Sequence, residues 1–132
     1  MIKGEIERGQ WKTFLDEFSK RNQLRPSRVE ILGEIGAQEE EELLPFEGIS
    51  FEPKGSAAGS VEIILGGETA AEPRHISHLI LHAEHILPLI GIGGVEGGLE
   101  VEDSEGTKTI LQFETLPELP PDTSSTGGAR PS

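Results

Sequence analysis

The chain contains no cysteine and no tyrosine, one tryptophan, one methionine and five phenylalanines. Without cysteine there are no disulfides, no thiolate nucleophile and no thiolate-bound zinc or iron–sulfur cluster, and the usual staple of a small secreted scaffold is missing. Cations are scarce as well: 11 Lys and Arg stand against 24 Asp and Glu, for a formal net charge of −13. Affinity for nucleic acid or for an anionic membrane comes largely from Lys and Arg, so neither partner is expected. No run approaches the roughly 20 apolar residues that cross a bilayer, and the opening MIKGEIERGQW has no apolar stretch behind its charges. A soluble cytoplasmic protein is the expectation.

What is present is enough for one small domain, since 132 residues can build a single modest core. In ERGQWKTFLDEFSKRN, Trp11, Phe14, Leu15 and Phe18 recur at i, i+3, i+4 and i+7, the spacing that lines one face of an amphipathic helix. Lys20 and Arg21 suit its C-terminal dipole, and Asn22 is its stop. After Pro26 the pattern changes to short segments broken by turn formers: RVEIL, LPFEGISFEP, SVEIILGG, GLEVED and KTILQFE. Val29 and Ile31 alternate with charged neighbours, and Leu99 and Val101 face Thr109, Leu111 and Phe113 across the turn DSEGT. The fold class predicted is α+β: an N-terminal amphipathic helix followed by a small antiparallel sheet or partly open barrel of about five strands. Residues 1–116 form that domain. Residues 117–132 are too rich in Pro, Ser, Thr and Gly to bury a core and are expected to be a disordered tail.

Two further segments invite functional readings. The acidic run Glu39 to Glu42 reads as a solvated loop rather than a cation site, because adjacent carboxylates repel and point in different directions. GIGGVEGG, residues 91–98, lacks the Gly-x-Gly-x-x-Gly spacing, a following helix and a Lys-Ser/Thr ending, so it reads as a flexible connector and not a phosphate loop.

All four histidines fall within HISHLILHAEH, as His75, His78, His82 and His85. On a helix over 74–86, with Pro73 at its first position, they would share an arc of roughly 80° beside an apolar stripe of Ile76, Leu79, Ile80, Ala83 and Ile86. Imidazoles at i, i+3 and i, i+4 can hold a metal ion, with Glu84 as a conceivable base. If the segment is extended, period two separates His78 and His82 from His75 and His85, and the four do not converge. Periodicity favours the helix, while Ile86, Leu87, Leu89 and Ile90 around Pro88 suggest a buried or edge strand. Otherwise these are surface imidazoles with ordinary pKa values, forming a positive patch only in mild acid.

The succession W..FLDEFSKRN, LPFEGISFEP, VEIILGG, HLILH and LEVEDSEGTKTILQF, spanning most of residues 8–114, resembles a family of small uncharacterised bacterial proteins, a domain of unknown function. Its members share a Trp-x-x-Phe-Leu-x-x-Phe helix, a Leu-Pro-Leu-x-Gly-Ile strand and an Asp-Gly-Thr hairpin. The resemblance implies a turn and a strand from Ala83 onward, where members often carry Pro followed by Ile-x-Val. This chain departs there, with Ala83 and Pro88. The resemblance implies no activity, substrate or cofactor.

No Ser, His and Asp stand in a triad pattern, and Ser77 beside His78 is mere adjacency. The expected function is therefore a non-catalytic protein-interaction or self-associating module, with no catalytic residues and no cofactor. One alternative is a metal-binding protein or metal-assisted hydrolase using His75, His78, His82 and His85. Another is an Sm-like RNA-binding barrel, which the charge opposes.

Overall fold

The computed structural model describes residues 4–33, 36–39, 43–54, 58–66 and 75–114; residues 36–39 are described by their backbone alone. The helix expected from the apolar spacing is α1 (Trp11–Asn22), entered through a short 3-10 turn at Arg8–Gln10. Trp11, Leu15 and Phe18 are buried on its inner face and Phe14 is partly buried. Its end lies at Asn22, whose Nδ2 donates to the Phe18 carbonyl at 2.9 Å, one of the orphan acceptors of a last turn.

The strands are β1 (Pro26–Gly33), β2 (Gly36–Glu39), β3 (Leu44–Glu52), β4 (Ser60–Gly66), β5 (His75–Ile80), β6 (Ala83–Ile90), β7 (Glu96–Asp103) and β8 (Lys108–Phe113). Every pairing is antiparallel. Seven of them form one path in the order β5-β4-β3-β1-β8-β7-β6, and β2 pairs β1 beside it. The α+β class with an N-terminal helix and an antiparallel sheet is correct, but about five strands is too few. The five segments recognised by alternation are β1, β3, β4, β7 and β8. The histidine-bearing segment supplies two more, β5 and β6, and β2 carries no alternation by which to recognise it.

The strands β5 and β6 follow each other in the chain yet occupy opposite ends of the path. The ladder thus runs back on itself through β1 and β8, which pair from Ser27↔Phe113 to Leu32↔Lys108, and stays open between β5 and β6. Only Pro26 and Ser27 of β1 pair with β3; from Glu30 onward β1 pairs with β2 instead. The flank of β3 released in this way is taken by α1. There Ser19 Oγ accepts from the Ile49 amide and donates to the Ile49 carbonyl, both at 2.9 Å.

Between these layers lies one core. Phe18 stacks on Phe113 and meets Phe46 edge-on, with centroids 5.8 and 5.9 Å away, and Trp11 meets Phe51 edge-on at 5.1 Å. Burial of each such ring contributes about 1.5–3 kcal/mol, offset by the entropy of ordering it. The turn between β7 and β8 is DSEGT as expected, with Asp103 Oδ1 accepting from the amides of Glu105 and Thr107 at 2.9 and 3.0 Å. The expected tail, residues 117–132, lies outside the described residues, as do Glu40 to Glu42 of the acidic run; Glu39 ends β2.

Candidate functional site

The helix reading of residues 74–86 is overturned: β5 and β6 are strands joined by a turn at Leu81 and His82, where His82 has φ +56°. Burial along β5 alternates, with Ile76, His78 and Ile80 turned inward and His75, Ser77 and Leu79 outward. Ile76, His78 and Ile80 stand opposite Leu65, Ile63 and Val61 of β4, which are fully buried. Cover for that row requires period two, and this tertiary demand outweighs the helical spacing.

The four imidazoles consequently have four separate settings. His75 Nε2 is 3.6 Å from Glu47 Oε1, beyond hydrogen-bond reach. His78 faces inward on β5, and His82 is exposed in the turn. His85 Nδ1 is 2.7 Å from Glu5 Oε2. That hydrogen bond raises the His85 pKa above its ordinary value against the opposing effect of desolvation, with the charges of Glu5, Glu102 and Glu84 adding to the rise. His85 is thus not the ordinary imidazole expected. Among the described residues, no group of three or more His, Asp or Glu is placed to hold a metal ion. Ser77 and His78 point to opposite faces of β5, and Ser77 Oγ donates to Glu62 Oε2 at 2.5 Å.

The pair His85–Glu5 belongs to a strap over the outer edge of β6. The Ile6 amide donates to the Ile86 carbonyl at 2.9 Å, and Arg8 Nη1 donates to the Ala83 carbonyl at 3.1 Å. The Arg8 guanidinium also lies 4.6 Å from the centroid of the Trp11 ring. Pro88, two residues beyond Ile86, presents its backbone to the same edge and has no N–H to offer there. The outer edge of β6 is therefore covered at one point and blunted at another, a common protection against strand pairing.

The segment expected to be a flexible connector is an ordered turn. Its first amide, Gly91, donates to the Val95 carbonyl at 2.7 Å, and the Gly94 amide donates to the Gly91 carbonyl at 3.1 Å. The reversal requires φ of +79° at Gly93 and +82° at Gly94, which glycine adopts without strain. Ile92 stands at its tip, 99 % exposed, flanked by Ile90 and Val95 at 57 and 58 %. The turn is fastened to the end of α1 through Glu96. The carboxylate of Glu96 accepts from Arg21 Nε and Nη2 at 3.1 and 2.7 Å and from Asn22 Nδ2 at 2.9 Å, while its carbonyl accepts from Arg25 Nη1 at 2.7 Å. The bidentate bond from Arg21 holds the Glu96 carboxyl below the usual carboxylate range and raises the Arg21 pKa in turn.

At the other end of β6 is a cleft of about 510 Å³, lined by Ile31, Leu79, Leu81, His82, Asp103 and Glu105 among others. Leu79 and Leu81 are 57 and 54 % exposed and give the cleft an aliphatic patch, while six of its ten lining residues, His82, Asp103 and Glu105 among them, are polar. The His82 carbonyl accepts from the Ser104 amide at 3.0 Å, which ties the β5–β6 turn to the β7–β8 turn across it. Sequence reasoning passed over both features. The signal available for the tip was three aliphatic residues, Ile90, Ile92 and Val95, interleaved with glycines where solubility would favour polar ones.

No helix among the described residues is long and apolar enough to cross a membrane. Residues 2–122 match the model of a family of unknown function (DUF5335), a match that extends past the expected domain boundary at residue 116. An uncharacterised protein of Aquifex aeolicus (strain VF5) is 31 % identical over 116 residues, covering 87 % of this chain and 95 % of that protein. No solved structure matches.

Proposed function

The chain belongs to the DUF5335 family, whose function is unknown, and from its own surface we propose that it is a non-catalytic module that makes protein contacts through the turn at Ile92. One observation carries this reading: an isoleucine 99 % exposed at the tip of an ordered turn, with two half-exposed aliphatic neighbours. Single exposed apolar residues are common and need no explanation. Here, though, the turn is held by four hydrogen bonds from Arg21, Asn22 and Arg25 to one residue, Glu96. A preorganised aliphatic anchor loses little entropy when it docks, the property that makes a few central residues dominate an interface.

Affinity capture with wild-type protein and with Ile92→Asp, each checked for an unchanged melting temperature, tests the reading. Proteins retained by the wild type, including further copies of this chain, are expected to be lost from the variant. Identical retained sets would refute it.

A further inference from the structure

The strap, residues 5–8, is fastened to the outer edge of β6 at three points: His85 Nδ1 to Glu5 Oε2 at 2.7 Å, the Ile6 amide to the Ile86 carbonyl at 2.9 Å, and Arg8 Nη1 to the Ala83 carbonyl at 3.1 Å. Of these fastenings, the first alone involves a group that changes charge near neutrality. Protonated, His85 donates a charge-assisted hydrogen bond from Nδ1 to the Glu5 carboxylate. Neutral, it carries a proton on that nitrogen in one tautomer and not in the other, and the attraction between ions is gone. The charged groups facing the imidazole are Glu5 from the strap, Glu102 opposite it on β7 and Glu84 beside it on β6. Loss of the proton leaves these three carboxylates around a neutral ring, where like charges repel.

The strap can part from the edge without disturbing the sheet. It is not one of the eight strands, and α1 keeps its own hold on β3 through Ser19. Gly4, at φ +90°, and Gly9 flank it, each with open space where a β carbon would stand, so both ends can turn. Ile6 packs on the core but is partly buried, which keeps the cost of opening modest. We propose that residues 5–8 are a proton-dependent clasp on the outer edge of β6, held closed over the Ala83 and Ile86 carbonyls while His85 is charged and freed to open when it is neutral. The raised His85 pKa agrees in sign, since the form that binds the proton more tightly gains population as pH falls. Opening uncovers a short stretch of edge, from Ala83 to Ile86, bounded by Pro88. The change also reaches the core, because Trp11 Nε1 donates to the Ile6 carbonyl at 2.9 Å and the Arg8 guanidinium lies over the Trp11 ring. Trp11, 1 % exposed and the chain's single tryptophan, is thus a built-in reporter of the clasp.

Hydrogen exchange at the Ile6 amide and at Trp11 Nε1, read by ¹H–¹⁵N spectra between about pH 5.5 and about pH 8.5 and corrected for intrinsic rates, tests the clasp. Both sites are expected to exchange faster than the amides of the β1–β8 ladder, which marks an opening short of unfolding. In the wild type the opening equilibrium is expected to rise about threefold across this range, the difference between a charged and a neutral hydrogen bond discounted for exposure. His85→Gln and Glu5→Gln are each expected to remove that pH dependence and to hold the equilibrium near its high-pH value. Thermal unfolding checks the fold of both, and Glu5→Gln reads the same contact from the strap if the His85 variant unfolds. Exchange no faster than in the ladder, a wild-type equilibrium that does not move with pH, or a pH dependence that survives either substitution would overturn the proposal.

Discussion

The Arg21 guanidinium and the Glu96 carboxylate, 75 positions apart in the chain, form a two-pronged pair at 3.1 and 2.7 Å. Through it the last turn of α1 fixes the hairpin between β6 and β7, and with it the orientation of Ile92. Arg21 alone would be a surface cation, but Asn22 and Arg25 converge on the same residue.

Replacement of Glu96 by Ala removes the acceptor for Arg21 and for Asn22 Nδ2 but keeps the Arg25 bond to its carbonyl. The loss expected is about 1–2 kcal/mol, the range for charge-assisted hydrogen bonds discounted for the exposure of Arg21. Urea denaturation of the variant measures it. Because Glu96 has a lowered pKa when folded, its contribution is full above the ordinary carboxylate value and is lost as pH falls through the folded one. The difference between wild type and variant should therefore shrink in acid.

His85 behaves in the opposite sense. Its pKa is raised in the folded protein, so the stabilisation from Glu5 is complete below about 6.5 and is lost as pH rises through the folded value. Glu5, Glu84 and Glu102 are the carboxylates that contribute. Wild type should exceed His85→Gln in stability by more at about pH 5.5 than at about pH 8.5. Amide exchange at Ile6, whose N–H is bonded to Ile86, should follow the same trend once corrected for intrinsic rates.

Gly98 has φ +151°, and a β carbon there would lie 2.0 Å from the Leu111 carbonyl oxygen. Gly98→Ala cannot be absorbed by a side-chain adjustment, since the obstacle is backbone in the β7–β8 ladder. A loss above roughly 3 kcal/mol is expected by thermal or urea unfolding, placing it among severe substitutions. A variant as stable as the wild type would contradict the register described for these strands.

Zinc titration addresses the histidines. With the imidazoles of His75, His78, His82 and His85 in separate settings, calorimetry of the metal-free protein should show binding no tighter than roughly 1 μM. His78→Ala and His82→Ala should leave that weak binding unchanged. Tight one-to-one binding abolished by both would restore the metal reading.

Much of this architecture was legible in the residues. The spacing of Trp11, Phe14, Leu15 and Phe18 identifies α1, and the alternation around Val29, Leu99 and Leu111 identifies strands, because each pattern reflects burial of one face. Residues 75–86 were ambiguous for a physical reason: Ile76, Leu79, Ile80, Ala83 and Ile86 satisfy a helical stripe, and Ile76, His78 and Ile80 satisfy a strand. The partner row Val61, Ile63 and Leu65 decides between them, and such a pairing over some 15 residues is not a local property. The resemblance to an uncharacterised family pointed to the strand. The tip and the cleft were illegible because Arg21, Asn22 and Arg25 meet Glu96 only after folding, and the cleft is assembled from three parts of the chain.

The claim that matters most is that Ile92 belongs to a contact surface. Residue-resolved ¹H–¹⁵N spectra of the wild-type protein, alone and with each protein retained in the capture experiment, test it directly. The account predicts shifts or broadening centred on residues 90–95, with the interior of α1 unmoved. Spectra unchanged by every retained protein, or changes confined to another surface such as the outer edge of β5, would contradict it.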